Sequence, residues 1–393
     1  MTKLPAADWT QREDLARLVS VLGAENMRWV GGAVRDTLLG SDVRDVDAAT
    51  TLLPDAVMRT LKAAGIKPIP TGIDHGTVTA VLPEGNVEIT TLRKDVATDG
   101  RRATVAFASE WKDDAARRDF TINALFAHPE TLEISDYFGG LDDLAERRVR
   151  FIGDARERIR EDHLRILRYY RFQARFGAAL DEEAEEACAE LASTLKGLSR
   201  ERVAMEMLAL LALPDPSDTV SRMYERGVLA EVLPETGAEQ IDRLETLIAF
   251  EIAQGAAADP LRRLAALLPP DRKLAEQVAA RLRLSNANRK TLARLADGLP
   301  DALPSDADIR ALAYREGSHQ ARDLLLLNSV SPAPLDNWEV PEFPLKGGAI
   351  VARGVGAGPE VARILQAVER RWIAEGFPAA DRVDILLEEE LSR

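Results

Sequence analysis

Cysteine is almost missing from this chain of 393 residues: Cys188 stands alone, so no disulfide can form within it. A lone thiol fits a reducing compartment. Histidine is scarce as well; the four present are scattered, which excludes a His/Cys metal cluster of the zinc type. No apolar run approaches the roughly 18–20 residues of a membrane span, and stretches such as "MLALLALP" end at proline. The start, "MTKLPAADWTQRED", lacks the basic head and apolar run of a signal peptide. No fixed-period repeat or low-complexity tract is found. Together these absences predict a soluble, cytoplasmic protein with no membrane partner.

Positive charge is also in deficit, with a formal net charge of −14. An acidic average argues against a general nucleic-acid coat, because phosphate contacts want a basic surface. The average hides a local reversal. Ten arginines fall between Arg147 and Arg175, against four acids, Asp154, Glu157, Glu161 and Asp162. A basic stripe on an acidic protein points to one localised polyanion site.

With 46% hydrophobic residues, the chain has enough apolar material for about two to four domains. Up to about residue 150 strands and helices alternate. "NMRWVGG" reads as a strand ending in a glycine turn, "AVRDTLLG" as a short helix, and "RDVDAAT" as a second strand. "HGTVTAVL" and "NVEITTLR", joined by "PEGN", read as a β-hairpin. The polar stretch "KDVATDGRRATVAFASEWKDD" reads as an irregular, mobile loop. Beyond about residue 153 helical periodicity takes over, with helices expected over 155–176, 181–195, 199–212, 217–228, 240–255, 259–268 and 272–283. The four prolines of "SVSPAPLDNWEVPEFPLKGG" mark a linker or extended loop before a final helical piece.

The chemistry gathers in three places. Side chains two apart on a strand share a face, so Asp45 and Asp47 in "RDVDAAT" present two carboxylates in parallel. Their repulsion calls for a cation, and oxygen-only ligands favour Mg²⁺. Glu88, in the strand "NVEITTLR", is a further ligand or a base for an attacking hydroxyl. An isolated Asp-x-Asp is more often a solvated turn, but here a glycine turn precedes it. Gly31 and Gly32 let backbone N–H groups approach a phosphate, and Arg35 is one turn away. The second place is "REDHLRILRYYRFQARF". On one continuous helix Asp162 and Arg165 are i,i+3 neighbours, an acceptor beside a donor fork. Cytosine and adenine offer the matching edge, an amino donor beside a bare ring nitrogen, whereas guanine and uracil do not. Arg168 and Arg171 follow at the same step and suit triphosphate or nucleic-acid backbone contacts; an ordinary surface salt bridge is the competing explanation. The third is "DAARRDFTINALF", where Arg118 suits a phosphate and Asp119 either a ribose hydroxyl or a helix N-cap.

As a set, "GGAVRDTLLG" with "RDVD", "TGIDHGTVT", "VEITTLR", "RRDFTINALF", "DYFGGLDDL" and "EDHLRILRYYRF" resemble the class II tRNA nucleotidyltransferases, the CCA-adding enzymes and their bacterial poly(A) polymerase relatives. The motifs stand in family order over residues 29–177. "PLKGGAIVARGVGAGPEVARIL" looks like a C-terminal element of many bacterial members, its glycines read as a turn between helices.

The resemblance implies an α+β nucleotidyltransferase head with a polymerase-β-like mixed sheet, followed by an all-α neck, body and tail. The expected boundaries are 1–153 for the head, 154–215 for the neck with its nucleotide-selecting helix, 216–328 for a tRNA-binding body, and 329–393 for linker and tail. It implies Mg²⁺ on Asp45 and Asp47, with Glu88 completing the catalytic set. Nucleotide contacts fall on Gly31, Gly32, Arg35, Arg118, Asp119, Asp162, Arg165, Arg168 and Arg171. The implied reaction adds C, C and A to the tRNA 3′ end from CTP and ATP, with the acceptor arm gripped by the helical domains. Three alternatives stay open: a poly(A) polymerase with the same head, a CC-only enzyme, and an inactive RNA-binding relative. The loop "TDGRRATVAF" favours CCA addition over both poly(A) and CC-only addition, and the retained Asp45 and Asp47 argue against an inactive protein.

Overall fold

The computed structural model describes residues 2–392 apart from 44, 100–101, 178 and 300–304. The chain forms two compact units, Met1–Val232 and Leu233–Arg393.

In the first unit, α1 (Glu13–Leu22) turns Leu15, Leu18, Val19 and Leu22 inward at helical spacing. Strand β1 (Met27–Val30) then runs through Gly31 into α2 (Gly32–Leu38). Gly31 has φ 66° and ψ −123°, a conformation that side chains with a Cβ rarely adopt, so the turn depends on glycine. Next come β2 (Val46–Thr50) and α3 (Pro54–Ala63), with proline in its first turn where no backbone donor is needed. Strands β3 (Lys67–Gly72), β4 (Thr77–Val81) and β5 (Val87–Thr91) follow. The expected β4–β5 hairpin is present, with Val78 opposite Ile89.

The stretch read as an irregular loop is instead ordered as β6 (Arg93–Asp99) and β7 (Arg102–Phe107), an antiparallel pair pinned by Arg93 opposite Phe107. The sequence there lacks a clear period-two apolar alternation, so only backbone pairing reveals the strands. The "GR" at positions 100–101, between the strands, lies outside the described residues. Helix α4 (Trp111–Ala116), strands β8 (Leu125–Ala127) and β9 (Ile134–Asp136), and α5 (Gly140–Ala145) complete the head.

The main sheet has the order β3-β4-β5-β2-β1-β8-β9. Its centre fixes the site. β2 runs antiparallel to β1 and parallel to β5, so it is flanked on both sides. β5 buries Val87 and Ile89 and exposes Glu88 between them, which separates a core face from an open one.

Helices α6 (Ala155–Glu161) and α7 (Arg165–Phe176) replace the single helix expected over 155–176. The chain breaks at Asp162, whose φ of −149° and ψ of 103° are extended, not helical. α8 (Glu182–Glu190), α9 (Arg200–Leu211) and α10 (Ser217–Glu225) pack around α7. The helix expected over 181–195 ends at Glu190 and tightens into a 3₁₀ turn, Ala192–Gly197.

The second unit contains α11 (Ala238–Ala253), α12 (Pro260–Ala266), α13 (Arg272–Arg281), α14 (Asn286–Ala296), α15 (Asp306–Glu316), α16 (Ser318–Leu327), α17 (Gly347–Val351), α18 (Pro359–Ala374) and α19 (Ala380–Leu391). Asp259, Asp271, Ser285 and Ser305 cap four of them through side-chain oxygens. α14, α15 and α16 had no counterpart among the expected helices. The proline-rich stretch has no regular secondary structure apart from one 3₁₀ turn at Ala333–Leu335, and the glycines after α17 form a turn before α18 as expected. Among the described residues no helix is long and apolar enough to cross a membrane.

One buried ion cluster ties three helices of this unit together. Glu251 of α11, 1% exposed, receives the guanidinium groups of Arg262 at 2.6 Å and Arg263 at 2.8 Å, and Arg262 also reaches Asp323 of α16 at 2.5 Å. Removing one member strands the opposite charges out of water. Glu251→Ala is therefore expected to destabilise this unit by about 3–5 kcal/mol. Chemical denaturation followed by circular dichroism measures it.

Candidate active site

A cleft of about 380 Å³ opens in the first unit, lined by Gly31, Gly32, Arg35, Asp47, Arg118, Asp119, Asn123, Asp162, Arg165, Arg168 and Phe172. Nine of these eleven are residues singled out from the sequence. The exceptions are Asn123 and Phe172, which the sequence reading passed over.

At one end stand the carboxylates. Asp47 lies on β2, and its register partner on the parallel strand β5 is Glu88. Partners in adjacent strands direct their side chains to the same face, so the two acids stand side by side. Asp45 is exposed, just ahead of β2. Burial, then the Glu88 charge, and more weakly Asp45, push the Asp47 carboxyl up to about 6, although Arg118 pulls it down. A half-buried carboxylate beside two more acids, with Arg118 the one opposing arginine among the described residues, is an under-compensated negative site. Its all-oxygen donor set fits a hard divalent cation.

A second group of possible ligands, Asp259, His319 and Asp323, lies in the other unit. There the cationic role is already filled. Arg262 holds Asp323, and Asp259 accepts the backbone N–H groups of Leu261 and Arg262 as a helix cap. We assign that group to the structural ion cluster.

Arg118 borders the carboxylates. Its Nη2 donates to Asp114 at 3.1 Å, its Nη1 to the Asn123 carbonyl at 3.4 Å, and its guanidinium lies 5.1 Å from the centre of the Phe126 ring. Its Nε is buried without a hydrogen-bond acceptor. Gly31 faces it: a Cβ there would come within 3.5 Å of Nη1.

Asp119 is neither free nor a helix N-cap; Phe120 occupies the cap position of the 3₁₀ turn Thr121–Asn123. Its Oδ1 accepts from the Phe120 N–H and the Asn123 side chain, and its Oδ2 from Arg168 at 2.5 Å. Burial raises its pKa, but Arg168 and these donors outweigh burial and hold it below the usual carboxylate range.

Arg35 is almost wholly buried. It donates to Asp36 and, at 2.5 Å, to Asn123, while its guanidinium stacks over Phe172 at 5.2 Å and Phe176 at 4.9 Å. Arg175 of α7 also binds Asp36, at 3.0 Å. Arg35 thus joins α2 to α7 as well as lining the cleft, a double role that its position in the sequence did not reveal.

The base-reading pair takes a different form from the one expected. Asp162 and Arg165 do not share a helix face, because the chain is extended at Asp162. Both nevertheless line the cleft. Asp162 accepts from the Leu164 N–H at 3.2 Å and from Arg202 of α9 at 2.7 Å. Arg165 opens α7 and donates to Glu161 and to the carbonyls of Arg158 and Arg117. Arg171 does not line the cleft; it pairs with buried Glu206 at 2.6 Å and packs over Phe172 at 4.8 Å. Asn123 and Phe172 lie inside quoted motifs, yet their usual roles in turns and cores gave no signal of a site. Glu206 and Arg202 come from a helix with no recognised motif.

A model of the poly A polymerase head domain matches residues 27–150, and a model described as a probable RNA and SrmB-binding site of polymerase A matches 177–239. The mitochondrial CCA tRNA nucleotidyltransferase 1 of Mus musculus is 36% identical over 390 residues, covering 93% of this chain and 87% of that protein. The chain belongs to the family of CCA tRNA nucleotidyltransferases. A CCA-adding enzyme of Streptococcus pneumoniae is 41% identical over 226 residues, 57% of this chain and 55% of that one. The crystal structure of the Bacillus stearothermophilus CCA-adding enzyme in complex with CTP superposes with a TM-score of 0.78 at 26% identity, covering 98% of this chain and 99% of that one. The α+β head and helical remainder are therefore those of this family. Membership also implies use of a divalent metal.

The Asp47 carboxyl titrates near 6 in the native protein against an ordinary value of 3.8. The native state therefore holds this proton more tightly than the unfolded chain, and stability falls as pH rises from about 3.8 through 6. Above that range the penalty is fully present, roughly 3 kcal/mol. Asp47→Asn is expected to raise the melting temperature of metal-free protein at pH 8 but not at pH 4, and to abolish stabilisation by added divalent cation. Differential scanning calorimetry at both pH values, with and without the cation, checks this.

Proposed function

We propose that this protein completes the 3′ end of tRNA, adding C, C and A from CTP and ATP without a nucleic-acid template. The observation that carries the reading is one cleft joining the Asp47 carboxylate end to the Asp162–Arg165 end. Chemistry and base choice then act on the same nucleotide.

In this reading the triphosphate lies along Gly31 and Gly32 and against Arg118, where backbone N–H groups and a guanidinium meet its charge. Asp45 and Asp47 would hold Mg²⁺, which when bound would supply Lewis-acid polarisation of the phosphates and acidify the attacking hydroxyl. The tRNA 3′-oxygen forms a bond to the α-phosphorus, the bond to the bridging oxygen of the leaving group breaks, and pyrophosphate departs. The hydroxyl proton passes to Glu88, which stands beside Asp47 on the neighbouring strand. Asp119, fixed by Asn123 and Arg168, is set to accept from a ribose hydroxyl. Asp162 accepts from the N4 or N6 amine, and the Arg165 fork donates to the adjacent ring nitrogen.

The neck, body and tail boundaries at 154, 216 and 329 remain our assignment of the tRNA-gripping parts. A cytoplasmic location rests on the single buried thiol; the mouse relative carries a mitochondrial name. Poly(A) addition is the second reading, because the Asp162–Arg165 pair accepts A as well as C. The names of the relatives favour CCA addition.

An extension assay with a tRNA lacking its CCA end, CTP, ATP and Mg²⁺ tests the function. Addition of C, C and A followed by a stop is expected; a long ladder with ATP alone means a poly(A) polymerase. Asp47→Ala is expected to lower addition at least ~10³-fold with tRNA binding retained, and loss of both would mark the acid as structural. Asp162→Ala is expected to cut discrimination against UTP and GTP by about tenfold or more, read from kcat/KM for each nucleotide.

A further inference from the structure

Asp114 belongs to none of the roles above, yet it is among the most buried charges in the head, 1% exposed at the fourth residue of α4. One oxygen accepts from Arg117 Nε at 2.9 Å and from the backbone N–H of Arg93 at 3.3 Å. The other accepts from Arg118 Nη2 at 3.1 Å. Burial raises its pKa, but Arg118 and Arg117 overcome this and keep it ionised below its ordinary value. A buried carboxylate does not move freely, because leaving its partners strands a charge in a dry site.

Arg118 is the guanidinium whose charge acts on Asp47 and whose Nη1 faces Gly31. An arginine side chain is long and loses much rotamer freedom when ordered. Three surfaces fix this one: the Phe126 ring, the Asn123 carbonyl and Asp114. Only Asp114 carries charge, so it supplies the strongest of the three restraints.

We propose that Asp114 is a positioning residue that holds the Arg118 fork against the cleft beside Asp47, so that an incoming triphosphate meets a guanidinium already in place. The proposal rests on the reading of Arg118 as a triphosphate ligand. It assigns Asp114 no contact with substrate. Arg117, which shares the carboxylate, serves only to balance its charge.

The test is a double-mutant cycle with full kinetics for CTP and ATP on tRNA lacking its CCA end. Asp114→Asn keeps the shape and removes the charge; it is expected to raise KM for both nucleotides about tenfold with a smaller change in kcat. In an Arg118→Ala background the same change is expected to add less than about threefold, since the residue acts through Arg118. Arg117→Ala removes the other ion pair of the same buried carboxylate and is expected to leave KM unchanged. A purely structural Asp114 would instead give equal effects in both backgrounds, or an Arg117→Ala variant that copies Asp114→Asn, and either result overturns the proposal. Arg118→Ala without any rise in KM would overturn the triphosphate reading itself. Should Asp114→Asn fail to fold, Asp114→Glu, which keeps the charge but shifts the carboxylate, takes its place in the cycle. A KM rise confined to the Arg118 background supports positioning, and equal rises with Arg118 and with Arg118→Ala refute it.

Discussion

The parallel pairing of β2 with β5 is the constraint on which the site depends. It sets Asp47 and Glu88 opposite each other at the centre of a sheet whose other face is core. A slip of one residue in that register would turn one acid into the core and separate the pair. The apolar neighbours prevent the slip: Val46, Ala48, Val87 and Ile89 are all buried. The hydrophobic effect therefore offsets an electrostatic arrangement that is unfavourable by itself, and burial with the Glu88 charge raises the Asp47 pKa accordingly.

A second regularity links the head to the helices that follow within the first unit. The cleft's arginines each carry a carboxylate partner: Arg35 with Asp36, Arg118 with Asp114, Arg165 with Glu161, Arg168 with Asp119. The basic stripe is thus not a loose cationic patch. Its guanidinium groups are fixed in direction before any ligand arrives, which lowers the entropy cost of binding and limits adaptation to other anions. The aromatic rings of Phe172 and Phe176 complete the frame by stacking on Arg35, Arg168, Arg171 and Arg175. Such a frame explains how an acidic protein serves a polyanionic substrate at one place only.

Much of this was legible in the sequence because the motifs are local. Gly31, Gly32, Arg35, Asp45 and Asp47 lie within one strand–turn–helix–strand passage, and their order alone indicates a phosphate and metal site. The break at Asp162 was not legible. "RERIREDHLRILRYYRF" keeps helical periodicity throughout, and the interruption is held by the local Leu164 N–H together with a tertiary partner, Arg202, which local pattern does not contain. The β6–β7 pair was missed for a related reason: a polar ribbon lacks the apolar alternation that marks a half-buried strand. Asp114, Asn123 and Glu206 escaped notice because their importance lies in what they hold, and those contacts span up to 88 residues of sequence.

Anomalous diffraction from crystals grown with Mn²⁺ and CTP tests the central claim most directly, since it locates a divalent cation without relying on turnover. The account predicts a manganese peak at Asp45 and Asp47, with the triphosphate beside Arg118. A peak confined to Asp259, His319 and Asp323, with none at Asp47, would contradict it.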